Sequence, residues 1–310
     1  METMKYKVDF FLLTFLFVVP CVSADELVAP ECEVQEKFED PGPAPGTYGR
    51  GLLWKISKKG IPSSYVFGTI HVADEAIDSI LDDVTGKLAR ATTFAMEVVP
   101  NAEELMTGAS LMYFADGQKL SDLLSAALFN KIVKLLSSYH LSLEAVTLLK
   151  PWAAFVTMSY PPEFGKVMDM QLLEIARQHG VKVAGLESLR EQLDIFNTLR
   201  LDKQVKLLSD TACHYDIVEA DFEKMKALYS ARDLAGLYNY SKRYSLSDDA
   251  VYNELVRKLL INRNHTMARR MRPILESGNA FIAIGAMHLP GEEGVLALLA
   301  KNNYEISPVY

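Results

Sequence analysis

The chain has few cysteines, few tryptophans and no surplus of positive charge: three Cys, two Trp, and 40 acidic against 32 basic residues, for a formal net charge of -8. Each shortage excludes something. No Cys-x-x-Cys pair occurs, so a zinc ribbon or a thioredoxin-like redox site has no ligands. The acidic balance offers no electrostatic hold on nucleic acid or on anionic lipid. No His-Glu-x-x-His occurs either, which removes the ordinary zincin helix. The apolar stretch from Phe10 to Val19 is short of the about 20 residues that a membrane-spanning helix needs.

That stretch has the surroundings of a secretory signal. Lys5 and Lys7 precede it, Pro20 and Cys21 follow, and the small residues Val22-Ser23-Ala24 come before the polar Asp25-Glu26. The order predicts cleavage after Ala24 and an exported protein, periplasmic or secreted, with no membrane span once the signal is removed. An uncleaved anchor is the alternative. Residues 25–50 carry Pro41-Gly42-Pro43-Ala44-Pro45-Gly46 among acids and read as a flexible N-terminal arm without periodicity. The signal peptide, residues 1–24, and this arm leave 51–310 as the folded domain. Cleavage leaves Cys32 and Cys213. In an oxidising compartment they either pair or remain free thiols, and the spacing does not decide between these.

The domain reads as α/β. Leu52–Ile56 and Ser64–Phe67 form a hairpin across the turn Lys58–Pro62, and a helix runs from about Asp74 to Ala91. Thr92–Val99 is a buried strand stopped by Pro100. Between Glu103 and Tyr160 the leucines at 120, 123, 124, 128, 135 and 136, with Ile132, recur at helical spacing. A helix from Met168 to His179 closes at Gly180, Val181–Leu186 is a short strand, and Leu189–Glu276 is helical again. Strand, loop, helix and strand complete the chain from Phe281 to Val309. The expected architecture is a central mixed sheet with strands from both chain ends and a large helical insertion.

Two segments share one design. Tyr65-Val66-Phe67-Gly68-Thr69-Ile70-His71 and Ile282-Ala283-Ile284-Gly285-Ala286-Met287-His288 are apolar strands ending in Gly-x-x-His, each followed by a loop and a helix. A glycine there lets the backbone turn or be approached closely. The histidine would then stand at the carboxyl edge of the sheet, where open α/β sheets bind ligands. A lone histidine beside a strand is commonly a core residue. Two of the six histidines in equivalent places point instead to a shared site.

A carboxylate completes such a site. Glu97, with apolar neighbours on both sides, is the first candidate, for metal ligation or proton transfer, and a salt bridge to a structural arginine is its bland reading. Glu187, after the strand ending at Leu186, is the second. Arg263-Asn264 sits in a helical stretch. The arginine either clamps a substrate carboxylate or oxyanion, or holds Glu97 ionised. Pro151-Trp152 reads as a helix start with a packed ring. Two histidines and a carboxylate suit a divalent Mn, Co or Zn ion.

In order along the chain, Leu53-Trp54-Lys55-Ile56, Phe67-Gly68-Thr69-Ile70-His71, Phe94-Ala95-Met96-Glu97, Lys150-Pro151-Trp152, Gly185-Leu186-Glu187-Ser188, Arg263-Asn264 and Gly285-Ala286-Met287-His288-Leu289-Pro290-Gly291 resemble the TraB/GumN family, which includes the Tiki proteins. The resemblance runs from about Leu52 to Tyr310. It implies a metal-dependent peptidase favouring manganese or cobalt, with His71, His288 and Glu97 as catalytic and metal-binding residues. Arg263 joins the catalytic set, and Glu187 and Asn264 are placed as substrate contacts. The expected partner is a peptide or other small substrate. A more distant likeness to haem-binding and erythromycin-esterase-type proteins keeps a second expectation, a non-catalytic binder of a peptide, haem or glycan.

Overall fold

The structure, a computed structural model, describes residues 48–71, 75–160, 162, 167–241 and 249–309. The expected signal segment, Cys32 and nearly all of the arm lie outside the described residues.

Six strands make one sheet: β1 (Leu53–Lys58), β2 (Ile61–Thr69), β3 (Thr93–Met96), β4 (Lys182–Gly185), β5 (Ala280–Gly285) and β6 (Glu305–Pro308). Their order is β4-β3-β5-β2-β1-β6. The first four are parallel, and β1 runs antiparallel between β2 and β6. β1 and β2 form the expected hairpin, turning at Lys59-Gly60 with Gly60 at φ 81, a left-handed conformation that glycine adopts without a Cβ clash. Helix α1 (Glu75–Leu88) links β2 to β3. Helices α2 (Ala102–Leu111), α3 (Ala126–Ser137), α4 (Leu143–Leu148), α5 (Pro151–Met158) and α6 (Met168–Gln178) lie between β3 and β4. Helices α7 (Leu189–Asn197), α8 (Leu201–Cys213), α9 (Tyr215–Ser230), α10 (Leu234–Ser241), α11 (Asp249–Val256) and α12 (Asn262–Ser277) lie between β4 and β5, and α13 (Val295–Lys301) joins β5 to β6. The fold is the expected mixed α/β sheet carrying a helical insertion, which β4 divides in two.

Parallel strands covered on both faces read as unbroken apolar runs. β5 is such a strand, with Ala280 through Ile284 all buried. Phe281 at its centre meets Phe67 and Phe94 of the flanking strands, with ring centroids 6.2 and 6.4 Å apart. Truncating Phe281 to alanine would cost about 3–5 kcal/mol. Helices α1 and α6 pack on each other and on β3, β4 and β5, while α12 and α13 pack on each other and on β2, β5 and β6.

The insertion has a core of its own. Leu128, Ile132 and Leu136 of α3 meet Trp152 and Leu208 there. Trp152 is fully buried and stacks on Phe196, and Pro151 opens α5, so this pair packs as the bland reading holds. Cys213 ends α8 and is disulfide-bonded. Among the described residues, no helix is long and apolar enough to cross a membrane.

One boundary bears on the site. The strand expected to reach Val99 stops at Met96. Its neighbour β4 ends opposite, at Gly185, and past that point two bonds continue the pairing, from the Leu186 N–H to the Met96 carbonyl at 2.8 Å and from the Glu187 N–H to the Glu97 carbonyl at 2.7 Å. Glu97 is thereby at the end of a strand instead of inside one.

Candidate functional site

Four parallel strands end side by side. Thr69 of β2 is in register with Gly285 of β5, and Met96 of β3 with Ala283 of β5 and Gly185 of β4. His71, Glu97, Glu187 and His288 each follow one of these ends within a few residues. The topology therefore delivers all four to one carboxyl edge.

His288 closes a short 3-10 turn, Ala286–His288, directly after β5, and is 5% exposed. Its Nδ1 lies 2.6 Å from the Asn264 Oδ1. The Asn264 amide nitrogen donates to the Glu293 carbonyl at 2.8 Å. That second bond fixes the amide orientation, so Oδ1 accepts and His288 Nδ1 carries the proton. The Nε2 lone pair is left facing Glu97, 3.7 Å from Oε1.

The glycines serve close approach. A Cβ on Gly285 would stand 3.2 Å from Glu97 Oε1 and 3.4 Å from His288 Cδ2, and the bare Gly285 N–H donates to Glu97 Oε1 at 2.7 Å. A Cβ on Gly68 would stand 2.7 Å from Leu289 Cδ1 and 3.1 Å from Ala286 Cα. The first motif's glycine is thus the seat for the second motif's turn.

Arg263 binds two carboxylates. Its Nη2 donates to Glu97 Oε2 at 2.6 Å and to Glu187 Oε2 at 2.8 Å, and Nε donates to Glu187 Oε2 at 3.0 Å. Gln192 donates to the same Glu97 and Glu187 oxygens at 3.1 and 3.2 Å. A π-helical turn, Arg257–Ile261, precedes Arg263, and Arg263 Nη1 donates to the Leu259 carbonyl. Such turns re-aim the side chains that follow. Gln192 is placed by a capping box, in which Ser188 and Glu191 exchange bonds and start α7 straight after Glu187. Of the two roles expected for Arg263, its contacts are those of the partner that keeps Glu97 ionised. Glu187 and Asn264 likewise spend their contacts on neighbours in the site.

His71 is the outer member, with a side chain 44% exposed and Nδ1 3.0 Å from Asp169 Oδ2. The Oδ2 atom lacks an aligned hydrogen bond, so this contact is an ion pair more than a directed bond. Asp169 Oδ1 accepts from Thr69 Oγ1 at 2.9 Å. Partial desolvation works against a charge on His71, but the contact with Asp169 and the charges of Asp169 and Glu97 outweigh it and raise its pKa to about 9. Burial dominates at His288 and lowers it to about 4 despite Glu97. Burial also opposes charge on Glu97, yet His288, Arg263, His71 and the Gly285 N–H together hold it at about 2. The His288 share acts only where that ring is protonated, below about pH 4. At neutral pH the permanent charge of Arg263 is the durable cause. These mutual influences also place His71, Glu97, His288 and Arg263 in one electrostatic neighbourhood.

Among the described residues, no three His, Cys, Asp or Glu side chains stand ready-made around an ion. The chemistry of the donors nevertheless fits one. Two ligands of a single ion at about 2.0–2.2 Å lie about 3–4 Å apart, and His288 Nε2 and Glu97 Oε1 are 3.7 Å apart. Both imidazoles have Nδ1 engaged by an outer oxygen, the arrangement that orients metal-binding histidines.

The model of the TraB/PrgY/gumN family matches residues 52–308. The chain belongs to this family. Relatives include the "Metalloprotease TIKI homolog" of the sponge Amphimedon queenslandica, 22% identical over 82% of this chain and 61% of the relative. The human "Metalloprotease TIKI1" is 22% identical over 96% of this chain and 68% of the relative. The zebrafish "Metalloprotease TIKI2" is 22% identical over 82% and 60%. The chain thus spans about three fifths to two thirds of the length of these relatives. No solved structure matches.

Sequence reasoning within the TraB/PrgY/gumN frame missed Asp169, Gln192 and Tyr160. Tyr160 has its pKa raised, first by burial and then by the charge of Glu97. Asp169 carried a usable signal: a lone acid between Met168 and Met170 on the apolar side of a helix must have a partner. Nothing local marks Gln192 or Tyr160.

Proposed function

We propose that this chain is an exported metal-dependent hydrolase acting on peptides, with His71, His288 and Glu97 as the ligands of one divalent ion, Mn, Co or Zn. The observation that supports it best is His288 Nε2, kept neutral chiefly by burial and turned by Asn264, facing an ionised Glu97 oxygen at 3.7 Å. Neutral imidazole and carboxylate are the forms that bind such ions. When bound, the ion supplies Lewis-acid polarisation of a carbonyl and makes water acidic enough to attack near neutral pH.

The chain's own residues have separate tasks. Glu97, held at about 2, suits ligation better than proton abstraction at neutral pH. Arg263 and Gln192 donate to its far oxygen, Glu187 braces that arginine, and Asn264 sets the His288 ring, so these act as supports of the site. Peptide as substrate follows the names of the relatives, the metalloproteases above.

Elemental analysis of the purified protein tests this reading. The parent should hold about one equivalent of Mn, Co or Zn, and the His71→Ala and His288→Ala proteins should lose it. Peptide cleavage should stop on adding a chelator. Turnover indifferent to chelation, or a His288→Ala protein that binds metal like the parent, would overturn the assignment. Export rests on the signal pattern, and mass spectrometry of the exported protein should find Asp25 at its N-terminus. Retention of residues 1–24 would refute it.

A further inference from the structure

We propose that Asp169 is the positioning residue for His71: with Thr69 it fixes which ring nitrogen His71 turns toward the cleft. The proposal rests on reading His71 as a metal ligand. Asp169 lies in the first turn of α6 and is 4% exposed. A carboxylate so buried is costly unless it is held by partners. Its two partners are both on the first Gly-x-x-His segment. Thr69, the last residue of β2 and 2% exposed, donates to Oδ1 at 2.9 Å, and His71 Nδ1 lies 3.0 Å from Oδ2.

The geometry divides the work. Thr69 is held in register with Gly285 of β5 at the end of β2, so it anchors the carboxylate to the sheet. The start of α6 adds a favourable helix dipole for the negative charge. His71 has left the strand and is 44% exposed, and among the described residues no second side chain holds its ring. With Nδ1 turned to Asp169, Nε2 is the nitrogen offered to the cleft. His288 is turned the same way by Asn264 Oδ1. The two Gly-x-x-His elements thus share a backbone design and differ in their orienting groups, a neutral amide for the buried ring and a carboxylate for the exposed one. The exposed ring needs the stronger hold, because charge-assisted contacts outlast neutral ones where water competes.

A purely structural Asp169 would only tie α6 to β2 through Thr69. The two roles separate in Co2+ binding by the full chain, followed by calorimetry and by the visible absorption of bound Co2+. Asp169→Asn should weaken Co2+ binding about 10–100-fold and shift the absorption bands. In a His71→Ala background the same substitution should add nothing. If His71→Ala alone binds Co2+ like the parent, the metal-site reading fails. If His71→Ala weakens binding but Asp169→Asn does not, or if the two losses simply add, the positioning role alone is overturned. Should Asp169→Asn fail to fold, Thr69→Val carries the test. It should weaken Co2+ binding severalfold in the parent and leave the His71→Ala protein unchanged, and equal affinity for the parent and Thr69→Val would refute the proposal.

Discussion

Replacing Arg263 by methionine probes the ion network at the centre of the site. The guanidinium is 2.6 Å from Glu97 Oε2 and 2.8 Å from Glu187 Oε2, and the three side chains are only 14%, 11% and 4% exposed. Methionine fills the same length without the charge. Two carboxylates are then left buried beside each other, sharing Gln192 as a neutral donor. Breaking a buried pair by removing one partner costs about 3–5 kcal/mol, and in a domain of this size that lowers Tm by about 10 °C. Arg270 is the control. Its pair with Glu191 is 37% and 47% exposed, and Arg270→Met should cost no more than about 1 kcal/mol. The pH dependence supplies a second check. Glu97 is depressed from 4.5 to about 2 in the folded protein, so its stabilisation is fully present above 4.5 and is lost as pH falls through 2. Without Arg263 the Glu97 carboxyl loses a charge that holds it down and titrates higher. The gap between parent and variant should therefore be widest near neutral pH and narrow below about 4.5. Chemical denaturation at neutral and at acid pH measures this. An Arg263→Met protein as stable as Arg270→Met, or a gap that ignores pH, would refute the reasoning.

The two motif glycines should separate stability from binding. Gly68→Ala, facing Leu289 at 2.7 Å and the Ala286 backbone at 3.1 Å, should lose about 1–3 kcal/mol in urea unfolding. Gly285→Ala keeps an allowed backbone, φ -51 and ψ 134, but crowds Glu97 and His288, so it should keep its Tm and lose Co2+ affinity; the opposite pattern would contradict this division of roles between the two glycines. Because His71 must shed a proton that it holds up to about 9, Co2+ affinity should rise by up to about tenfold per pH unit through neutrality and level off above about 9; a flat profile would exclude His71 as a ligand. Cys213 and Cys32 are expected to pair, so thiol labelling of the unfolded, unreduced mature protein should find neither, and two labelled thiols would rule the bond out.

How much was legible in the sequence depends on the range of the interactions. Apolar runs such as Phe281–Ile284, the leucine spacing of α3 and the turn at Gly60 are local signals, and each formed the element expected of it. The repeated Gly-x-x-His is also local, because the residues just past a strand's end stand at the sheet's edge. The outer contacts were missed or, for Arg263, left open between two roles, for the opposite reason. Asp169 reaches His71 and Thr69 from a helix about a hundred residues away, Gln192 depends on the start of α7, and Arg263 depends on a π-helical turn that no spacing rule announces. The sequence by itself therefore determined the strands, the main helices and the four residues, His71, Glu97, Glu187 and His288, that stand at strand ends. Only the tertiary structure decided that β2, β5, β3 and β4 lie side by side with their ends aligned. Strand order is set by packing of both sheet faces against helices distant in the chain, and that packing also chose Asn264, Asp169 and Arg263 as the groups that hold the strand-end residues in place.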